Sequence, residues 1–277
     1  MTITRRIPMT FGCAVLLMAC SSALRAACEF AIQGEGRVNA VLDARTFRLD
    51  DGREVRLAGI ELPHDTATRD AENLRSLIGG SKVTLHGPDD RPDRYGRQPA
   101  FVFVESSGTP VQLDLLASGE ALASPVVNDK ACSGALLAAE GAARAAKRGI
   151  WAGSTALKNT ESPDDILARK GRFAVVEGTV SSARLAGATF YVNFGHRWTR
   201  DFAVTISRRM MPSFETAGID LKSLKDKRVR VRGWIEQRGG PRIEATYPGQ
   251  IELIAAADIV LTGDAAAKSM RPKTEGE

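Results

Sequence analysis

The sequence predicts a mainly β protein with packed helices, α+β in class, laid out as two strand-rich units in tandem. Three patterns carry this expectation. Apolar and polar residues alternate over residues 36–42, 45–49 and 54–60, around Asp51-Gly52, a two-residue hairpin signal. Runs with helical spacing follow at residues 66–78, 111–118 and 132–148, each closed by a glycine. A second alternating stretch, residues 171–254, lies beyond a polar segment. With 277 residues, 43% of them hydrophobic, the chain has apolar material for two modest cores.

In the first helical run Ala67, Ala71, Leu74, Leu77 and Ile78 share one face before Gly79-Gly80 stops it. Residues 82–86 and 99–104 return to strand alternation, and Ile150-Trp151 follows Gly149 in position to pack back on the third helix. Residues 158–170 read as a linker, in which Ser162-Pro163-Asp164-Asp165 is a helix start. In the second unit residues 173–181, 189–194 and 202–206 alternate and residues 212–218 form a short helix. Residues 229–237 then turn back through Gly239-Gly240 to 242–246. Strands, a helix and a hairpin in that order suit a five-stranded OB-type barrel, here spanning 171–254. Residues 255–277 are small and charged, the composition of a frayed tail.

Residues 1–27 carry Arg5 and Arg6 followed by an apolar run at 11–19, the layout of an export signal and too short to span a bilayer. Two processing sites compete. Leu17-Met18-Ala19-Cys20 fits a lipobox, which would place a lipid on Cys20, and Leu24-Arg25-Ala26 fits ordinary signal cleavage. The protein is therefore expected in the periplasm or secreted, with a membrane-anchored lipoprotein as the variant. Export leaves Cys28 and Cys132 for the mature first unit, where an oxidising compartment favours their pairing. Charge is divided unevenly. Residues 28–155 hold 15 Lys and Arg against 18 Asp and Glu, and residues 156–277 hold 20 against 15. No glycine-rich phosphate loop opens a helix, so nothing suggests a nucleotide cofactor.

Val41-Leu-Asp-Ala-Arg45-Thr-Phe-Arg-Leu49, Arg56-Leu-Ala-Gly-Ile-Glu61-Leu-Pro63, Asp93-Arg-Tyr-Gly-Arg97 and the closing segment from Ala135 to Trp151 together resemble the staphylococcal nuclease family. The resemblance covers residues 28–157. It implies an OB barrel with packed helices and hydrolysis of nucleic-acid phosphodiesters with one calcium ion. It places Arg56 and Arg97 as the phosphate grip, a task suited to planar guanidinium forks. Glu61 falls where the family has a metal ligand, and Asp43 is a residual candidate beside it. Two positions depart from the pattern. Arg45 stands where the family keeps its main metal-binding aspartate, and His64 where it keeps the glutamate beside the attacking water. A guanidinium in the cation's place opposes calcium, so no cofactor is expected and Arg45 is expected to pair with Glu61 and Asp43. His64 is the candidate base in its place. Asp93 and Tyr95 are expected to hold the Arg97 loop, and Thr46 to brace the first turn.

In the second unit the candidate nucleic-acid residues are Trp198, in a hairpin tip, and Arg228, Arg230 and Arg232, which alternation puts on one face of a strand. Two function classes follow: an exported nuclease-like protein with impaired calcium-dependent catalysis, acting on or binding DNA or RNA, or a non-catalytic envelope module for protein or an anionic polymer.

Overall fold

The computed structural model describes residues 28–62, 67–105, 107–124, 129–153 and 156–254. The export signal with Cys20, the candidate base His64 and the tail lie outside the described residues.

The first unit comprises β1 (Ile32–Asp43), β2 (Thr46–Leu49), β3 (Glu54–Leu57), β4 (Ile60–Glu61), α1 (Ala67–Ile78), β5 (Lys82–His86), β6 (Gln98–Val104), α2 (Val111–Ala117), β7 (Leu122–Ala123) and α3 (Lys130–Ala145). Five strands close a barrel in the order β1-β2-β3-β6-β5. Closure depends on the long first strand. Its leading half pairs with β5, from Ile32 opposite His86 to Arg37 opposite Lys82, and its trailing half with β2. Bulges between Val38 and Ala40 and between Val41 and Asp43 supply the bend between these roles. The inward positions of the alternation, Phe47, Leu49, Val55, Leu57, Val83, Leu85 and Phe101, fill the interior with Leu74 and Ile78 of α1. Leu77, expected on that face, is 36% exposed and lies at its edge.

Gln112 of α2 is fully buried. Its Nε2 donates to the carbonyls of Ala100 (2.8 Å) and Ala58 (3.2 Å), and its Oε1 accepts from Val102 N. One side chain thus satisfies backbone groups where β3 leaves the sheet. Asp129 caps α3 by accepting from Cys132 N at 2.6 Å, and Cys132 is bonded to Cys28. The expected disulfide is present and ties the start of the barrel to α3.

The polar segment after the first unit is not a free linker. It holds β8 (Leu157–Asn159) and α4 (Pro163–Leu167), and β8 joins the second unit by pairing parallel with β9 (Phe173–Thr179). The remaining elements are β10 (Ser182–Ala186), β11 (Thr189–Asn193), β12 (Ala203–Ser207), α5 (Met211–Thr216), β13 (Arg228–Trp234), β14 (Glu236–Arg238), β15 (Gly240–Glu244) and β16 (Ile251–Leu253). They form two sheets, β10-β11-β12-β15-β14 and β16-β13-β9-β8. Only two residues separate β9 from β10, and only Ile235 separates β13 from β14. Followed through those bends, the winding repeats that of the first barrel. The parallel pair β12–β15 corresponds to β3–β6, and a helix precedes the fourth strand in both.

The two units bury surface against each other. Leu122, Ala143 and Trp151 of the first pack with Val175 of β9. A fully buried ion pair crosses the same interface, Arg232 Nη1 donating to both oxygens of Glu140 at 2.9 and 2.7 Å. Among the described residues no helix is long and apolar enough to cross a membrane.

Candidate phosphate-gripping site

Pairing across three strands assembles the arginines of the first barrel. Thr46 lies opposite Arg56 in the β2–β3 ladder and Arg45 precedes it in the β1–β2 turn, with Glu61 bonded to both arginines. Parallel pairing of β3 with β6 sets Arg56 beside Pro99, two residues after Arg97. Val55 and Leu57 point into the core, which turns Arg56 to the outer face.

Glu61 is the hub. Its Oε2 accepts from Arg45 Nη1, and its Oε1 accepts from Arg56 Nη2 at 3.0 Å. The carboxylate is largely buried, and both of its oxygens are committed to guanidiniums. Asp43 does not meet the Arg45 side chain; its Oδ1 accepts from Arg45 N at 2.8 Å, tightening the turn. The expected pairing of Arg45 with Glu61 is therefore present, and Asp43 contributes through the backbone alone. Thr46 is buried, but its hydroxyl makes no hydrogen bond, so no bracing role is seen for it.

Arg97 is held by Asp93, whose Oδ2 accepts from Nε (3.0 Å) and Nη2 (2.8 Å), while Oδ1 takes the backbone N–H groups of Tyr95 and Arg97. The Tyr95 ring lies 5.0 Å from the Arg97 guanidinium carbon. Gly96, at φ +80°, closes this loop in a conformation that other residues rarely adopt. Burial raises the Asp93 proton affinity, but the hydrogen bonds from Arg97 and the backbone outweigh it and hold the carboxyl below its ordinary range.

Three guanidiniums thus face two carboxylates, and their mutual influence falls on Arg56. Burial first, and then the neighbouring Arg45, weaken its hold on its proton; Glu61 opposes them, and Arg97 adds to the weakening. Arg56 stays charged, as arginines do, but it sits in a crowded positive field. Its Nε is buried with no acceptor among the described residues. A planar anion with several acceptor oxygens suits these donors.

Calcium needs six to eight oxygens. Here both Glu61 oxygens are spent on arginines and an Asp43 oxygen on the backbone. Among the described residues no cluster of three or more acidic, histidine or cysteine side chains is placed to hold a metal. The donor set does not fit the ion.

The second-unit arginines require a correction. Arg228, Arg230 and Arg232 do share one face of β13, with Val229 and Val231 in the core behind them, but that face is covered. Arg230 lies directly between Glu177 of β9 and Glu252 of β16 and binds each at 2.7 Å. Arg232 is fully buried between Glu140 and Glu252. Arg228 is partly exposed but pairs with Glu177 at 3.2 Å. Arg230 and Arg232 cannot meet a phosphate without dismantling the protein, which leaves Arg228 alone on the expected face. Glutamates at matching positions of the flanking strands were the signal that would have shown this. Trp198, by contrast, is 78% exposed.

The first unit is thus a closed five-stranded barrel with Arg45, Arg56 and Arg97 gathered beside Glu61 and Asp93. Residues 54–153 match the family of staphylococcal nuclease homologues. The match begins at Glu54, so Asp43 and Arg45 precede it within the same barrel, and the second unit lies outside it. A search of curated proteins found no match.

Proposed function

We propose that the first barrel engages the phosphodiester backbone of nucleic acid through Arg45, Arg56 and Arg97 in the absence of calcium, and that calcium-dependent hydrolysis is weak or lost. One observation carries the reading: both oxygens of Glu61 are bonded to arginines, Arg45 among them. A carboxylate so engaged serves as an internal counter-ion. An incoming phosphate would share or displace it, meeting the planar forks around it. The chain's residues can bind and orient a phosphodiester here; no described group is placed to activate water.

We also place the protein outside the cytosol. The Cys28–Cys132 bond supports this, because such bonds persist in oxidising compartments. A lipid anchor on Cys20 is one form this export would take.

Duplex DNA and RNA of twelve base pairs, titrated by fluorescence anisotropy in EDTA, test the binding claim. Duplex offers phosphates without exposed base faces. Binding should persist in EDTA and weaken as salt rises. Changing Arg56 and Arg97 together to alanine should weaken it at least tenfold, since hydrogen bonds to charged groups contribute about 1.5–3 kcal/mol each. Equal binding by the double variant would refute the site. No duplex binding at any salt would favour the envelope module, an option consistent with the inward-turned pairs Arg45–Glu61 and Arg97–Asp93.

A further inference from the structure

The second unit carries a groove that the arginine cluster of the first barrel does not explain. Pleating of β10 and β11 sends Phe190 and Val192 into the core and turns Tyr191 and Asn193 outward, opposite Arg184 and Ser182. The loop from Phe194 to Phe202 arches over the end of this face, leaving a groove of about 480 Å³ with Phe202 in its floor and Trp198 on its rim.

That loop is held in one shape. Phe194 N donates to Phe202 O at 3.1 Å. Asp201 N donates to Arg197 O at 2.7 Å, and Asp201 Oδ2 accepts from Arg197 N at 2.7 Å. Ser181 Oγ donates to the carbonyls of Asn193 and Gly195. A side chain at Gly195 would run into Asp201. Trp198 O accepts from Gly240 N, and a Cβ at Gly239 would stand 3.3 Å from Trp198 Cε3, so the indole rests an edge on a glycine. Trp198 is nonetheless 78% exposed. An indole that a braced loop holds still, and yet leaves open to water, is organised in advance for a flat partner.

Charge identifies that partner. Arg184 lines the groove, and Arg197 flanks Trp198 on the loop; neither guanidinium has a carboxylate partner among the described residues. The acid in the groove, Asp201, is engaged by the Arg197 backbone N–H. Arg200 is paired with Asp164 at 3.2 Å. The surroundings of the indole therefore present free cations and a tied-down anion. This favours a flat ring system on an anionic chain over a neutral sugar.

We infer that this groove binds single-stranded nucleic acid, one base stacking on Trp198 and the adjoining phosphates meeting Arg184 and Arg197. A duplex keeps its base faces stacked on one another and offers nothing to the indole, so the site selects single strands. It stands independently of the phosphate grip on the first barrel.

The test is fluorescence anisotropy of a labelled twelve-nucleotide single strand on the full mature chain in EDTA and low salt, alongside the twelve-base-pair duplex. Trp198→Ala should weaken single-strand binding about tenfold, the scale of one lost base–aromatic stack, and leave duplex binding unchanged. Trp198→Phe should recover most of the affinity, which separates stacking from damage to the loop. Arg184→Ser should lower the salt slope by about one. Arg56→Ala with Arg97→Ala should weaken duplex binding and spare the Trp198-dependent increment, so the two sites fail separately. Single-strand binding unaltered by Trp198→Ala, or absent from the unaltered protein at low salt, would overturn the proposal. So would Trp198-dependent binding of a neutral or sulfated oligosaccharide without binding of the oligonucleotide, which would assign the groove to polysaccharide.

Discussion

Replacing Arg232 by alanine is expected to destabilise the protein by about 3–5 kcal/mol, because it leaves the Glu140 carboxylate charged, buried and without its main partner. Glu140 would keep Ala123 N at 2.6 Å and Arg144 at 3.2 Å, and Arg144 is itself partly exposed. Glu252 would lose one of its two arginines. For a chain of this size the expected drop in melting temperature is about 10 °C. Arg228→Ala, at the more exposed end of the same strand, should cost under about 1 kcal/mol. Paired thermal melts check the contrast, and similar small shifts for both variants would show that the interface is wet. The network also sets an acid limit. Burial raises the proton affinity of Glu252, but Arg230 and then Arg232 outweigh it and hold the carboxyl below the usual glutamate range. A folded-state pKa below the unfolded one means the contribution is complete above the unfolded value and disappears as pH falls through the lowered one. Stability should therefore decline below about pH 4, and less steeply once Arg232 is gone.

Removing the Cys28–Cys132 bond should have an effect of similar size. It closes a loop of 104 residues. In the chain-entropy account a loop of about 100 residues gives roughly 4–5 kcal/mol, mostly by restricting the unfolded chain. Cys28→Ser with Cys132→Ser should lower the melting temperature by about 10 °C. Thiol titration of the unfolded, unreduced mature protein should find neither sulfur free. Two free thiols would remove both the bond and the argument for an oxidising compartment.

The sequence made the first barrel legible because its signals are local. Asp51-Gly52 marks the β2–β3 turn, glycines follow the first two helices, and Arg45, Arg56, Glu61 and Arg97 lie on or next to strands whose pairing follows from those turns. Gln112 escaped notice because nothing in its neighbourhood marks a polar residue that will serve three backbone groups in a core. The error at Arg228, Arg230 and Arg232 has a different origin. Period-two alternation shows that these side chains share a face, and it is silent on what covers that face. The partners come from Glu140, Glu177 and Glu252, remote in sequence and in part from the other unit. The linker reading of residues 158–170 failed in the same way, since their polarity reflects ion pairs such as Lys158 with Asp165, although the helix start at Ser162-Pro163 is present.

The central claim is that Arg45 stands where a nuclease of this family would hold its cation, and the most direct measurement is thermal unfolding of the mature protein across a calcium titration to millimolar concentration. A site that bound calcium at a hundred times its dissociation constant would add about 2.7 kcal/mol of stability, an easily resolved rise in melting temperature. With Arg45 bonded to Glu61 the account predicts no calcium-dependent rise. A clear, saturable rise, accompanied by robust calcium-dependent cleavage that Arg97→Ala abolishes, would show that the ion binds despite Arg45 and would contradict the account.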